Sequence, residues 1–109
     1  MTAQELSAEL VEVFGPTLVA LMTNERDRKL PLRWADGSAS PDEFQTKALE
    51  VADDAARTIS DAYDFDMTRA WFIGHNDRLD EAPVFAVRNW RFQQVSNAAA
   101  AFVEGDIGF

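Results

Sequence analysis

The only imidazole in the chain, His75, stands beside Asn76 and Asp77, so a base, an amide and a carboxylate adjoin here. Such a pair serves acid–base chemistry when an activated serine or cysteine lies within reach. The chain has no nucleophile elbow and no glycine-rich phosphate loop, and its other carboxylates are scattered as in any acidic protein. Catalysis is not expected, and His75 reads as a solvated loop residue. Cysteine is absent, which excludes thiolate metal sites and disulfides and leaves His75 and the carboxylates as the remaining ligand supply. Neither a metal nor a cofactor is expected.

Charge is the second chemical resource. Nineteen acidic and ten basic residues give a formal net charge of -9, which on average repels nucleic acid. The distribution runs against the sum: Arg26, Arg28, Lys29 and Arg33 place four of the ten basic residues within eight positions. A cluster of this kind is either a solvated helix face or a row of phosphate contacts. No apolar run approaches the ~18 residues a membrane span needs. Glu5, Glu9 and Glu12 stand where a secretory signal would carry positive charge. A cytoplasmic protein without membrane contact is expected.

The elements that must position these groups are helical throughout. Leu6, Leu10, Val13 and Phe14 repeat as one face of a helix ending at Gly15-Pro16. Thr17 is placed to cap a short helix to Met22, and Asp27 to cap a third to about Ala35, with Leu30 and Trp34 on one face. Gly37 suits the left-handed position beyond it, while Pro31 falls at the fourth helical position and disturbs the start. Ser40-Pro41-Asp42-Glu43 combines a cap, a first-turn proline and early acids. From it Phe44, Ala48, Val51, Ala55, Ile59 and Ala62 form one stripe along a helix of roughly 35 Å. Met67, Ala70 and Trp71 share a face of a short helix that stops at Gly74; Pro83 opens another over 83–88. Asn89 is placed to cap a last helix carrying Phe92, Val95, Ala99 and Phe102 to Gly105. Period-two alternation, the mark of a strand, does not occur.

The ordered set Arg69-Ala70-Trp71-Phe72-Ile73-Gly74-His75-Asn76-Asp77-Arg78-Leu79, then Ala82-Pro83, then Val95 through Phe102 to Glu104-Gly105, resembles the toxin-binding domain of the Xre/MbcA/ParS antitoxins. Arg33-Trp34-Ala35-Asp36-Gly37 and Ser40-Pro41 are similar to the helix-turn-helix that precedes it in that family. The resemblance covers nearly the whole chain. It implies an all-α protein in which an N-terminal helix-turn-helix bundle, 1–63, is joined by its long helix to a small helical toxin-binding domain, 64–109. It departs from the family in its acidity, in Pro31 within the recognition helix, and in Trp90 where small or acidic residues are commoner.

The function so implied is that of an antitoxin in a type II toxin–antitoxin pair. It would bind and occlude a RES-domain, NAD-consuming toxin and repress its own operon. Toxin contacts would come from Trp71, Phe72, Asn76, Arg78 and Leu79, with the tail Ile107-Gly108-Phe109 reaching into the toxin cleft. DNA contacts would come from Arg26, Arg28, Lys29 and Arg33, in a homodimer or higher homo-oligomer. Trp71 and Phe72, adjacent on a short helix, are not expected to face one core together, so one of them should line an interface. Asn76, just past a helix stop, is expected to accept from backbone N–H groups and hold its loop in shape. Two other readings use the same residues: a DNA-binding regulator without a toxin, and a protein-interaction module with a degenerate helix-turn-helix.

Overall fold

Two reciprocal caps set the frame. Thr2 Oγ1 accepts from the Glu5 N–H while the Glu5 carboxylate accepts from the Thr2 N–H, and α1 (Ala3–Phe14) begins there. Asp42 and Gln45 make the same exchange at the start of α4 (Glu43–Ala62), between α3 (Leu30–Asp36), itself preceded by α2 (Pro16–Met22), and α5 (Phe65–Ile73). The computed structural model describes residues 1–105, which α6 (Pro83–Arg88) and α7 (Phe92–Val103) complete. Among the described residues there is no strand, and Asn76 and Glu81 form an isolated β-bridge. None of these helices is long and apolar enough to cross a membrane.

Several boundaries fall elsewhere than the sequence suggests, each time because another group satisfies the helix end. Asp42, not Ser40, caps α4, since its carboxylate reaches the Gln45 N–H at 2.7 Å. The helix then has 20 residues, about 30 Å. Asp27 accepts from the Lys29 N–H in a turn rather than capping α3, which starts later. Pro31 therefore lies in the first turn, where its missing N–H costs no helical hydrogen bond. Gly15, at φ +82°, ends α1 and opens α2 without help from Thr17. Asn89 ends α6 instead of capping α7, and its side-chain amide turns to Glu81.

Burial refines the expected faces in the same way. On α4, Ala48, Val51, Ala55 and Ile59 are buried at the expected spacing, but Phe44 and Ala62 are exposed, and Leu49, Ala52 and Ala56 add a second inward row. The reason is position: α4 packs against α1 and α7 and also touches α2, α5 and α6. Its alanines let those neighbours approach, since interaxial distance follows side-chain size at the contact. On α5 the inward face is Thr68, Trp71 and Phe72; Met67 and Ala70 point outward.

Trp71 and Phe72 overturn the expectation that only one of them fits the core. They are 8% and 0% exposed, because α5 is enclosed by α1, α4 and α6 on more than one side. Phe72 meets Phe14 edge-on at 4.8 Å and Trp71 at 5.0 Å. One apolar cluster thus runs from Leu6 on α1 to Ala99 on α7 and crosses residue 63 without a break. Replacing Phe72 with alanine should lower the unfolding free energy by about 3–5 kcal/mol. Because both sides of residue 63 share that cluster, the loss should appear in a single urea transition, read alike by circular dichroism and tryptophan fluorescence. Two transitions, with only one displaced, would contradict a shared core.

Candidate functional site

The segment between α5 and α6 is a tight loop organised by one side chain. Asn76 Oδ1 accepts from the N–H groups of Arg78 at 3.0 Å and Leu79 at 3.3 Å. The Asn76 carbonyl accepts from Leu79 at 3.1 Å and Asp80 at 2.7 Å, and its N–H donates to the Glu81 carbonyl at 3.1 Å. Asp80 completes the turn in the left-handed region at φ +56°. The acceptor role expected of Asn76 is present.

A second tie comes from the start of α7. The Arg91 guanidinium donates to the Leu79 carbonyl and, at 2.8 Å, to the Glu81 carboxylate, whose other oxygen accepts from the Asn89 amide at 3.0 Å. Leu79, 1% exposed, anchors the loop from below. Arg91 and Glu81 were not singled out in the sequence. Ten residues separate them across a helix, and no local spacing marks the pair. What remains outside is a rim of His75, Asp77 and Arg78, with His75 Nε2 at 3.5 Å from Asp77 and 3.9 Å from Asp80.

The residues assigned to toxin contact therefore divide. Trp71, Phe72 and Leu79 are interior and support the surface rather than form it. Asn76 is half-buried and Arg78 exposed. Ile107, Gly108 and Phe109 lie outside the described residues.

The residues assigned to DNA all reach the outside. α2 ends with Asn24 at φ +56°, where the Asn24 N–H donates to Leu21 and the Glu25 N–H to Ala20, a Schellman closure. The chain then carries Arg26, Arg28 and Lys29 through an exposed connection into α3. Within α3, Pro31 and Trp34 face the core while Leu32 and Arg33 face out. Arg33 leans back on Ser38, 3.4 Å from both its hydroxyl and its carbonyl.

A cleft of ≈ 490 Å³ between α1, α4 and α5 brings together charges that no local spacing in the sequence relates: Glu9, Glu12, Asp53, Arg57, Asp61 and Arg69 line it. Asp53 is buried on the helix that carries Arg57, and Arg57 Nε donates to it at 2.8 Å. The same guanidinium reaches Glu9 of α1 at 3.0 and 2.9 Å. Two carboxylates crowd one cation. The hydrogen bond to Asp53, then burial and the Asp53 charge, hold the Glu9 carboxyl above its usual range, against the pull of Arg57. Arg57 is itself held above its ordinary value, first by its hydrogen bond to Asp53. The arrangement is a clasp between α1 and α4.

Comparisons with protein-family models, curated proteins and solved structures found no match to this chain.

Two measurements follow from these contacts. Asn76→Ala should destabilise the protein by about 1–2 kcal/mol and speed hydrogen exchange at the Arg78 and Leu79 amides, because one side-chain acceptor serves both. Unchanged exchange there would show that Asn76 does not organise the loop. Replacing Arg57 with methionine leaves the buried Asp53 beside Glu9 without a cation, so the melting temperature at neutral pH should fall. An acid whose folded pKa is raised contributes most at low pH and loses that contribution as pH rises through the folded pKa. The gap between variant and wild type should therefore widen from acidic to neutral pH. A gap of constant size would separate the defect from the carboxylate pair.

Proposed function

We propose that this protein acts by binding macromolecules, as an antitoxin whose loop after α5 faces a RES-domain, NAD-consuming toxin. The observation that carries the reading is the doubly tied loop. Asn76 fixes it from within and Arg91 from α7, and the tie leaves Arg78 and its neighbours displayed on a set backbone. A surface ordered before the encounter loses little freedom on binding. Several residues of the family-like pattern have a part in or beside that loop: Leu79 is buried beneath it, Asn76 shapes it, Trp71 lies buried on the helix before it, and Pro83 starts α6 directly after it. On this reading inhibition is steric, with residues 107–109 proposed to enter the toxin's cleft.

The exposed basic residues at the α2–α3 connection favour a second activity in the same chain, repression of its own operon as a homodimer. Arg26, Arg28 and Lys29 precede α3 at the end where phosphate contacts would position it on DNA. Without a toxin, the same features describe a stand-alone regulator.

The deciding experiment is an NAD-consumption assay of the cognate toxin with added protein. Wild type should suppress turnover, and Arg78→Glu should weaken suppression about tenfold or more with the helical fold retained by circular dichroism. Equal suppression by Arg78→Glu would remove the loop from the interface. For DNA, the slope of log affinity against log salt should flatten by about 1.8 when Arg28 and Lys29 are both alanine. An absence of salt-sensitive binding in the wild type would reject the operator role.

A further inference from the structure

Apart from the loop just described, the structure displays an aromatic pair at the corner where α4 begins and α6 ends. Phe44 and Trp90 stack with ring centroids 4.5 Å apart and planes 27° from parallel. Their burial is far from complete, at 59% and 56% exposed. The backbone at Trp90 is unusual. It has φ +63°, with its N–H donating to the Val87 carbonyl at 3.1 Å and the Arg91 N–H donating to Ala86 at 2.9 Å. This is a Schellman closure with Trp90 at the left-handed position that glycine normally fills. For a bulky aromatic that conformation is strained, and the exposed ring gains too little burial to explain its presence there.

The charges around the pair select among partners. The shallow face on one side of Phe44 carries Asp42, Glu43 and Glu50 against a single ammonium, Lys47, which Glu50 already approaches at 3.9 Å. On the other side, a notch of ≈ 140 Å³ separates the stack from Asn24 and Arg88. Arg88 Nε there donates to Asn24 Oδ1 at 3.1 Å. Exposed aromatic faces edged by surplus carboxylates attract cations, and guanidinium stacks on such faces better than ammonium. We propose that the Phe44–Trp90 corner is a docking surface for an arginine-bearing segment of a partner protein. One arginine would lie on the indole face with neighbouring basic groups toward Asp42 and Glu43. This surface is independent of the antitoxin reading, since it uses neither the loop after α5 nor residues 107–109.

The fold provides its own reporter. Trp34 and Trp71 are buried, so quenching of tryptophan fluorescence by acrylamide reads chiefly Trp90. The probe is an acetylated, amidated octapeptide with two arginines, compared with the same peptide carrying citrulline or glutamate and with oligothymidylate. The arginine peptide should protect Trp90 in a saturable, salt-weakened manner, and citrulline should bind about tenfold more weakly, the scale of a partly desolvated cation–π contact. Trp90→Gly should lose the interaction, followed by peptide anisotropy, while its melting temperature holds or rises, because glycine relieves the left-handed strain.

Any of several results overturns the proposal. These are no saturable binding of the arginine peptide, equal binding of the citrulline or glutamate peptide, or protection by oligothymidylate instead. A fall in melting temperature with Trp90→Gly would make the stack a structural brace. Loss of self-association in that variant would make the corner a contact between copies of this chain.

Discussion

Everything in this fold depends on a helix that is enclosed by its neighbours and meets them largely through alanine. α4 offers Ala48, Ala52, Ala55 and Ala56 to the interior, together with Leu49, Val51 and Ile59. Small side chains let α1 and α7 both settle against it, and the larger residues come from those neighbours: Leu6, Leu10 and Phe14 from α1, Val95 from α7. A larger residue at any of the four alanines would push a neighbouring helix outward, and close-packed interiors absorb such changes poorly.

Apolar packing of this kind is non-directional, and the polar ties give it its register. The Arg57 clasp links α1 to α4 at the edge of the cleft, and the Arg91–Glu81 contact binds the loop after α5 to the start of α7. Both lie at the margin of the apolar cluster, where a charged pair keeps partial contact with water and loses less solvation than it would inside. The tied loop and Trp90 of the aromatic corner fall within one stretch of chain, 74–91, and Phe44 joins the corner from α4.

How far the sequence reveals this depends on whether the cause is local. The seven helices among the described residues are legible from periodicity and stop signals, because i, i+3 and i+4 spacing survives whatever surrounds it. So is the role of Asn76, whose partners are two and three residues away. Capping fails where two candidates compete: Ser40-Pro41 is the stronger local pattern, yet the Asp42–Gln45 exchange prevails because each group satisfies the other's backbone. Residues acting across distance are hidden. Arg57 meets Glu9 over 48 positions and Phe44 meets Trp90 over a span nearly as long, with nothing in either neighbourhood to announce it. Trp71 and Phe72 mislead for a related reason, since a lone helix has one inward face but a helix surrounded on several sides has more.

The packing of α7 on α4 also has a meaning in time. The two helices are separated in the chain by α5, α6 and their connections, yet α7 covers an inward row of the central helix. During synthesis α1 to α4 emerge first and can associate. The row awaiting Val95, Ala98 and Ala99 has no cover until residues 92–103 leave the ribosome. Until α7 has emerged the nascent chain carries an uncovered apolar row, and any delay in that emergence lengthens its exposure to chaperones and proteases.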